Sequence, residues 1–346
     1  MSKRILVTGG FGFVGGHLIE RLLKEDTLHR VRVHVVDNLS SNPIPYERLI
    51  SEISASLGKT DRLTWDLCSI AEWFDRKPAD WAWDEIYHLA SAVGPAGVLQ
   101  HAGHMIKSIV DDTYRLMELA QQRGVRLLDV STSEVYGGGQ EGYCSEEFAK
   151  IIPAKTTVRL EYAIAKLAAE TAIQNTSTVG TLDAVIVRPF NIVGPRQSGV
   201  GGFVLPRFIG YAMLNRPLTI FGGGSQVRAF THVTDICSGI VLAMRKGKRG
   251  EAYNIGNPEN RITINELADL VLEITGSQAG KIYVDPRSIY GPLYAEANDK
   301  YPNANRAMQE LGWLPEFDAR AVVAQTFKYM KSLPEDLRAS LAGRLY

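Results

Sequence analysis

Cysteine is nearly absent: Cys68, Cys144 and Cys237 stand far apart, with no CxxC pair and no histidine cluster beside them. Neither a disulfide framework nor a metal site is expected, and the thiols should be reduced. A charge of either sign is also lacking, with 38 Lys plus Arg against 38 Asp plus Glu. Without an overall field, bulk attraction to nucleic acid or to an anionic membrane is not expected. No apolar run is long enough to span a bilayer, and repeats and low-complexity segments are missing. The opening MSKRILVTGG enters a strand-like run at once and reaches glycines by position 9. It lacks the longer apolar segment of a secretion signal, so a cytoplasmic location is expected.

What is present suits a globular enzyme of 346 residues, 45% hydrophobic and 22% charged, enough for a large domain and a smaller one. β-Branched runs at Ile5–Val7, Val31–Val36, Glu85–Leu89, Arg126–Val130 and Asp183–Val187 read as strands. Helical patterns at Phe13–Lys24, Met105–Gln122 and Tyr162–Ile173 lie between them. Alternation of this kind predicts an α/β, Rossmann-type doubly wound parallel sheet. Beyond Pro189 come loops rich in Gly and Pro (Gly194-Pro195, Gly199 to Gly202, Gly222 to Gly224) and short helices. The expected division is residues 1–188 as a dinucleotide-binding domain and 189–346 mainly as a C-terminal substrate lobe. Part of 230–258, with a helix at Val233–Met244, is expected to pack back on the first domain.

Thr8-Gly9-Gly10-Phe11-Gly12-Phe13-Val14-Gly15 follows the first strand and opens the first helix. Gly9, Gly12 and Gly15 permit a tight turn and close approach to a pyrophosphate, and the helix N-terminus beyond them, at Phe13 and Val14, offers N–H groups to phosphate. Asp37 closes the second strand, where a carboxylate accepts hydrogen bonds from an adenosine ribose and repels a 2′-phosphate. No arginine follows it (Asn38, Leu39, Ser40), so NAD is expected rather than NADP. A turn-forming aspartate is the plainer use of Asp37. Asp66-Leu67 and His88-Leu89-Ala90 sit at later strand ends, toward the adenine and nicotinamide sides of the cofactor; each also suits a cap or a core position.

Tyr162 and Lys166 are four residues apart on one helical face. A free phenol, with a pKa near ~10, is a poor base at neutral pH, and a neighbouring ammonium and an oxidised nicotinamide would both favour the phenolate. Upstream, Ser131-Thr132-Ser133-Glu134 ends a strand, in the crevice where such sheets bind ligands. Thr132 is placed to hydrogen-bond the reacting oxygen, while Ser131 and Ser133 equally suit strand-end capping.

With TGGFGFVG, VVDNLSS, YHLAS, STSEVYG, YAIAK, RPFNIVGPRQ and GGGSQVRAFTHVTD, the chain from Arg4 to about Trp313 resembles the extended short-chain dehydrogenase/reductase family, in its NAD-dependent epimerase/dehydratase branch. The resemblance implies a catalytic set of Thr132, Tyr162 and Lys166 and cofactor contacts from Gly9, Gly12, Gly15, Asp37 and Asp66. It implies a nucleotide-diphosphate sugar as substrate, with Asn191 and Arg228 on the diphosphate and Phe203-Val204 beside the base. The planar fork of an arginine suits a phosphate. The family's shared opening step is oxidation of the sugar, usually at carbon 4. Relatives usually form homodimers through two helices per subunit, here Met105–Gln122 and the Tyr162 helix.

The later steps stay open. The Thr-Ser-Glu order resembles that of nucleotide-glucuronate decarboxylases and GDP-mannose 4,6-dehydratases, whose Glu attends carbon 5; Glu134 would do so here. Glucose 4,6-dehydratases carry Asp where this chain has Ser133. Decarboxylases carry Arg near the stretch Asn298-Asp299-Lys300-Tyr301-Pro302, where Lys300 offers a cation without a bidentate fork. Ile109 stands where an active-site Asn is usual. Simple 4-epimerisation, net oxidation of a non-nucleotide alcohol, and a non-catalytic NAD-sensing role are the alternatives.

Overall fold

The computed structural model describes residues 2–42, 44–58, 61–76, 82–137, 141–152, 157–200, 202–291 and 299–342. Gly201 and Asn298 lie outside them.

Seven parallel strands form the central sheet: β1 (Lys3–Thr8), β2 (Val31–Asp37), β3 (Leu63–Leu67), β4 (Glu85–His88), β5 (Arg126–Val130), β6 (Ala184–Pro189) and β7 (Ala252–Ile255). Their spatial order is β7-β6-β5-β4-β1-β2-β3, so the chain reverses direction across the sheet between β1 and β4. Ligand crevices open at such reversals, outside the carboxyl ends of the strands. The Rossmann-type sheet expected from the sequence is present. The strand end expected at Asp66-Leu67 is that of β3, whose bounds the pattern did not show because its burial is mixed: Leu63 is covered while Thr64, Trp65 and Leu67 are open.

β6 shows how apolar runs specify a sheet covered on both faces. Val185 and Val187 join one core layer with Ile5, Val7 and Leu128, while Ala184 and Ile186 join the other with Leu6, Ile86 and Leu127. The helices are α1 (Phe13–Glu25), α2 (Tyr46–Leu57), α3 (Ile70–Arg76), α4 (Gly94–Gln100), α5 (Met105–Arg123), α6 (Val158–Thr178), α7 (Val204–Met213) and α8 (Val233–Lys246), followed by others nearer the C-terminus. α1 buries Gly15, Leu18, Ile19, Leu22 and Leu23, the stripe of a helix packed on one side. α5 stops at Gly124 in the left-handed conformation, and Thr157 caps α6 by accepting from the Leu160 N–H.

Residues beyond Pro189 add two-stranded ladders that the sequence had not suggested, such as Val227–Ala229 against Arg261–Thr263. α8 packs on α1, and β7 extends the central sheet alongside β6. Cys68, Cys144 and Cys237 are free and buried. Among the described residues, no helix is long and apolar enough to cross a membrane.

Candidate active site

The turn between β1 and α1 is built for close approach. Gly9 has φ of +70°, and a Cβ there would lie 2.7 Å from the Ala90 nitrogen. A Cβ on Gly15 would collide with the Gly9 carbonyl oxygen. α1 then begins at Phe13 with Gly12 as its cap, no side-chain cap and no acidic residue in its first turn, so its N–H groups and positive dipole end face outward. Asp37 grips this turn: Oδ2 accepts from the Phe11 N–H at 2.9 Å and Oδ1 from the Leu39 N–H at 2.7 Å. Burial pushes its carboxyl above the ordinary range, against the pull of those N–H groups. Asn38 accepts from the Ser40 N–H, and the Leu89 N–H donates to the Thr8 carbonyl. A glycine cradle, an uncapped helix N-terminus and a carboxylate at the second strand end fit a dinucleotide. The Val14 carbonyl accepts from the Cys237 thiol of α8.

Asp66 has one oxygen committed within the fold. Its Oδ2 accepts from Trp73 Nε1 at 3.0 Å and lies 3.1 Å from His34 Nε2, tying the end of β3 to α3 and β2, with Leu67 exposed beside it.

Tyr162 and Lys166 lie on α6, both buried. The Tyr162 hydroxyl hydrogen-bonds with Thr132 and Ser91; burial pushes its pKa well above the ordinary phenol value, the two hydroxyls pull it down, and Glu134 and Asp129 push it up. Lys166 donates to the Val130 carbonyl at 2.9 Å. Hydroxyls rather than Lys166 therefore make the direct contacts that favour phenolate. Ile109 on α5 packs with Tyr162, Val98, Met105 and Ala165 in one apolar cluster. Where the family usually carries Asn, this chain thus places an apolar wall against Tyr162.

Thr132 opens a 3₁₀ turn over Ser133–Tyr136 by accepting from the Glu134 N–H at 3.2 Å. Ser133 is buried, and Glu134 projects between two cations. Arg159 donates to Glu134 Oε1 at 2.8 Å, and Lys300 pairs with the same oxygen. Burial would raise the Glu134 pKa, but Lys300 and Arg159 overcome it and hold the carboxyl well below the usual range. Burial pulls the Lys300 ammonium down while Glu134 supports it. Sequence reasoning had named Glu134 and Lys300 and missed Arg159. Its signal was present: Arg159 is three residues before Tyr162, on the same helical face. It supplies the guanidinium fork that Lys300 does not.

Lys300 bridges to Arg228 in the backbone and feels its charge. Arg228 donates to the Val227 carbonyl at 2.8 Å. Asn191, with φ of +33°, reaches the Ala229 carbonyl at 3.4 Å. The two residues expected at a diphosphate thus meet along one strand. Phe203 and Val204 begin α7, whose Arg207 stacks on Phe221 at 4.1 Å. Behind the 3₁₀ turn, Arg188 makes a two-pronged ion pair with Glu170, at 2.9 and 2.6 Å, and donates to the Tyr136 hydroxyl at 2.9 Å. Tyr136 in turn donates to Asn254 Oδ1 at 2.7 Å.

Over residues 5–256 the sequence matches the NAD dependent epimerase/dehydratase family. The chain belongs to this family. The UDP-N-acetyl-alpha-D-glucosaminuronate decarboxylase of Bacillus cytotoxicus is 29% identical to this member, covering 97% of this chain and 100% of that one. The UDP-glucuronic acid decarboxylase 1 of Xenopus tropicalis is 31% identical over 95% of this chain and 72% of its own. Among solved structures, a point mutant of the UDP-glucuronic acid 4-epimerase of Bacillus cereus, in complex with NAD and UDP-4-deoxy-4-fluoro-glucuronic acid, superposes with a TM-score of 0.79. It is 26% identical and covers 95% of this chain and 99% of that one. NAD is thus the cofactor of the family to which the glycine cradle belongs.

Proposed function

We propose that this family member oxidises carbon 4 of a nucleoside diphosphate hexuronate and releases its carbon 5 carboxyl group as CO₂. The observation that carries this reading is the Arg159–Glu134–Lys300 cluster next to Thr132 and Tyr162. Two cations converge on one carboxylate there, and Arg228 adds a third nearby. Such a surplus of positive charge suits a carboxylate on the sugar and a diphosphate behind it. Relatives whose names specify uronate substrates support the same choice.

Gly9, Gly12 and Gly15 with the start of α1 would hold the NAD pyrophosphate and Asp37 the ribose, with Asp66 and Leu67 toward the adenine and Ala90 and Leu89 along the ring side. Bound NAD⁺ supplies a hydride acceptor at carbon 4 and, after the carbon–carbon bond breaks, returns the hydride. Tyr162 takes the carbon 4 hydroxyl proton, with Thr132 and Ser133 orienting that oxygen and Lys166 holding positive charge behind the phenol. The resulting ketone lies β to the carboxylate, so the C5–C6 electron pair flows into the C4 oxygen as CO₂ leaves. Carbon 5 then takes a proton, for which Lys300 is suited, since burial lowers its pKa. Tyr162 finally gives its proton back to the carbon 4 oxygen. Glu134 stays ionised and holds both cations in place. Asn191 and Arg228 grip the diphosphate, and Phe203 and Val204 border the base.

We also propose residues 1–188 with α8 and β7 as the cofactor domain, residues 189–346 otherwise as the substrate lobe, and a cytoplasmic homodimer through α5 and α6. Exposed Ile106 and Tyr114 on α5 support that contact. The deciding experiment supplies UDP-, GDP-, dTDP- and CDP-linked hexuronates and hexoses, following proton NMR spectra and trapped CO₂. One CO₂ per pentose formed is expected. Inversion at carbon 4 with the carboxylate retained would assign a 4-epimerase instead, and turnover of neutral hexoses alone would overturn the uronate reading.

A further inference from the structure

Behind Lys166, away from the sugar, lies a buried polar row that the chemistry above does not use. Thr8, His88 and Asp129 occupy matching positions on β1, β4 and β5, since Thr8 pairs with His88 and His88 with Asp129 in the sheet register. All three are buried: Asp129 and Thr8 are 0% exposed and His88 1%. Thr8 Oγ1 lies 2.7 Å from His88 Nδ1, and His88 Nε2 faces Asp129 Oδ1 at 3.9 Å. Among the described residues, neither Asp129 oxygen, nor His88 Nε2, nor Ser131 Oγ two residues further on has a hydrogen-bond partner. An isolated carboxylate in such a place is strongly disfavoured unless it shares a proton or finds a counter-charge.

The groups facing this row are few. α6 contributes Lys166, whose charge acts on both Asp129 and His88. α5 contributes Asp112, which also feels Lys166. β6 presents Ile186 in register with Asp129. Asp129 in turn acts on Tyr162, alongside Glu134.

We propose that Asp129, beside His88 and next in the chain to the Val130 carbonyl that holds Lys166, is a positioning residue that sets the pH at which Tyr162 ionises. The physical need follows from transient oxidation, and this inference rests on that reading. Tyr162 must take a proton from the sugar and later return it. Lys166 and an oxidised nicotinamide both push toward phenolate, and a phenolate held too firmly is too weak a base to take the sugar proton. A negative charge behind Lys166 offsets part of that push and keeps the phenol near the operating pH, where acid and base work are balanced. Burial and then Lys166 push His88 well down, so the imidazole stays neutral, while Lys166 opposes the burial that pushes Asp129 up and is the counter-charge for its carboxylate.

The test is a tyrosinate titration by ultraviolet difference spectroscopy on the NAD⁺-loaded protein, using Tyr162→Phe as the blank for each background. Asp129→Asn keeps the shape and removes the ionisable group; Asp129→Leu fills the site with an apolar side chain. Both are expected to lower the Tyr162 midpoint by roughly 0.5–1 pH unit. With UDP-glucuronic acid as probe, both should also lower the steady-state fraction of enzyme-bound NADH relative to the wild type. An unchanged midpoint in Asp129→Asn overturns the proposal, as does a shift confined to Asp129→Leu, which would mark a packing effect. The titration needs no turnover, so failure of the uronate reading would leave it intact and show separately as absent NADH.

Discussion

One short 3₁₀ turn carries two charged clusters that differ in charge balance and in access to solvent. Tyr136, at its end, points back into Arg188, Glu170 and Asn254, where the guanidinium faces both carboxylate oxygens and a phenol. Glu134, at its front, meets Arg159 and Lys300, and the side chains of Glu134 and Arg159 are each 25% exposed. Behind the turn, cation and anion match one to one with no access for solvent. In front, two cations share one carboxylate and the site opens to the crevice. The same residue types therefore serve as a strut on one side and as a receptor for an anion on the other.

The contrast assigns chemistry to the front and stability to the back, and the largest expected effect tests the first half. Tyr162→Phe should lower the rate of NADH formation in a single turnover by about 10²–10⁴-fold, with the urea midpoint little changed. A comparable loss of stability would show that the front is also structural. Next, Arg188→Leu or Glu170→Gln should destabilise the fold by about 3–5 kcal/mol, because either leaves a buried charge without its partner. Urea unfolding measures this, and the folded fraction should retain its KM. If either variant unfolded no more readily than the wild type, the strut assignment would fail.

A smaller effect distinguishes the two cations at the front. Arg159→Leu should raise KM for the hexuronate by about 10- to 100-fold, the loss expected for one charge-assisted hydrogen bond, and cost under about 1 kcal/mol in stability. Arg159→Lys should recover only part of the affinity, since an ammonium cannot present a fork. Equal KM values for Arg159→Leu and the wild type would place the sugar carboxylate elsewhere.

These assignments mark where the sequence was readable. The glycine turn, the Tyr162–Lys166 spacing and the alternation of strands and helices are local patterns, so their meaning survives without knowing what lies opposite. Glu134 and Lys300 could be named but not joined, because 166 residues separate them and only the folded chain brings them together. Arg159 was overlooked for the opposite reason: its place on the Tyr162 face was legible, but an arginine at a helix start gains its meaning only from Glu134 on another element. The partners of Asp66 were equally out of sight, since Trp73 and His34 reach its Oδ2 from a different helix and strand. Asp129 reads as an ordinary strand residue until the register sets it beside His88.

A third cluster, joining α1 and α2 to the loop at Arg196, should show the weakest effect and takes its sign from pH. Arg196 donates to Glu20 and Glu52, each at 2.9 Å, and His17 beneath it reaches the Pro195 carbonyl at 2.9 Å. Burial alone would raise Glu20, yet Lys24 and Arg196 bring it down to about 2. Burial, then Arg196, lowers His17 to about 3. Glu20 has a depressed folded pKa, so its contribution is complete above the ordinary carboxylate pKa near 4.5 and fades as the pH falls toward 2. His17 acts in the same direction: below its ordinary pKa of 6.5 the unfolded chain takes up a proton that the folded protein refuses down to about 3. Stability should therefore rise with pH throughout this window. Arg196→Gln should remove about 1–2 kcal/mol at neutral pH and progressively less on acidification. Thermal melts of both proteins between pH 3 and 7 should converge at the acid end. Parallel curves would mean that Arg196 holds α1 and α2 to its loop by shape alone, making this cluster a strut like the one behind Tyr136.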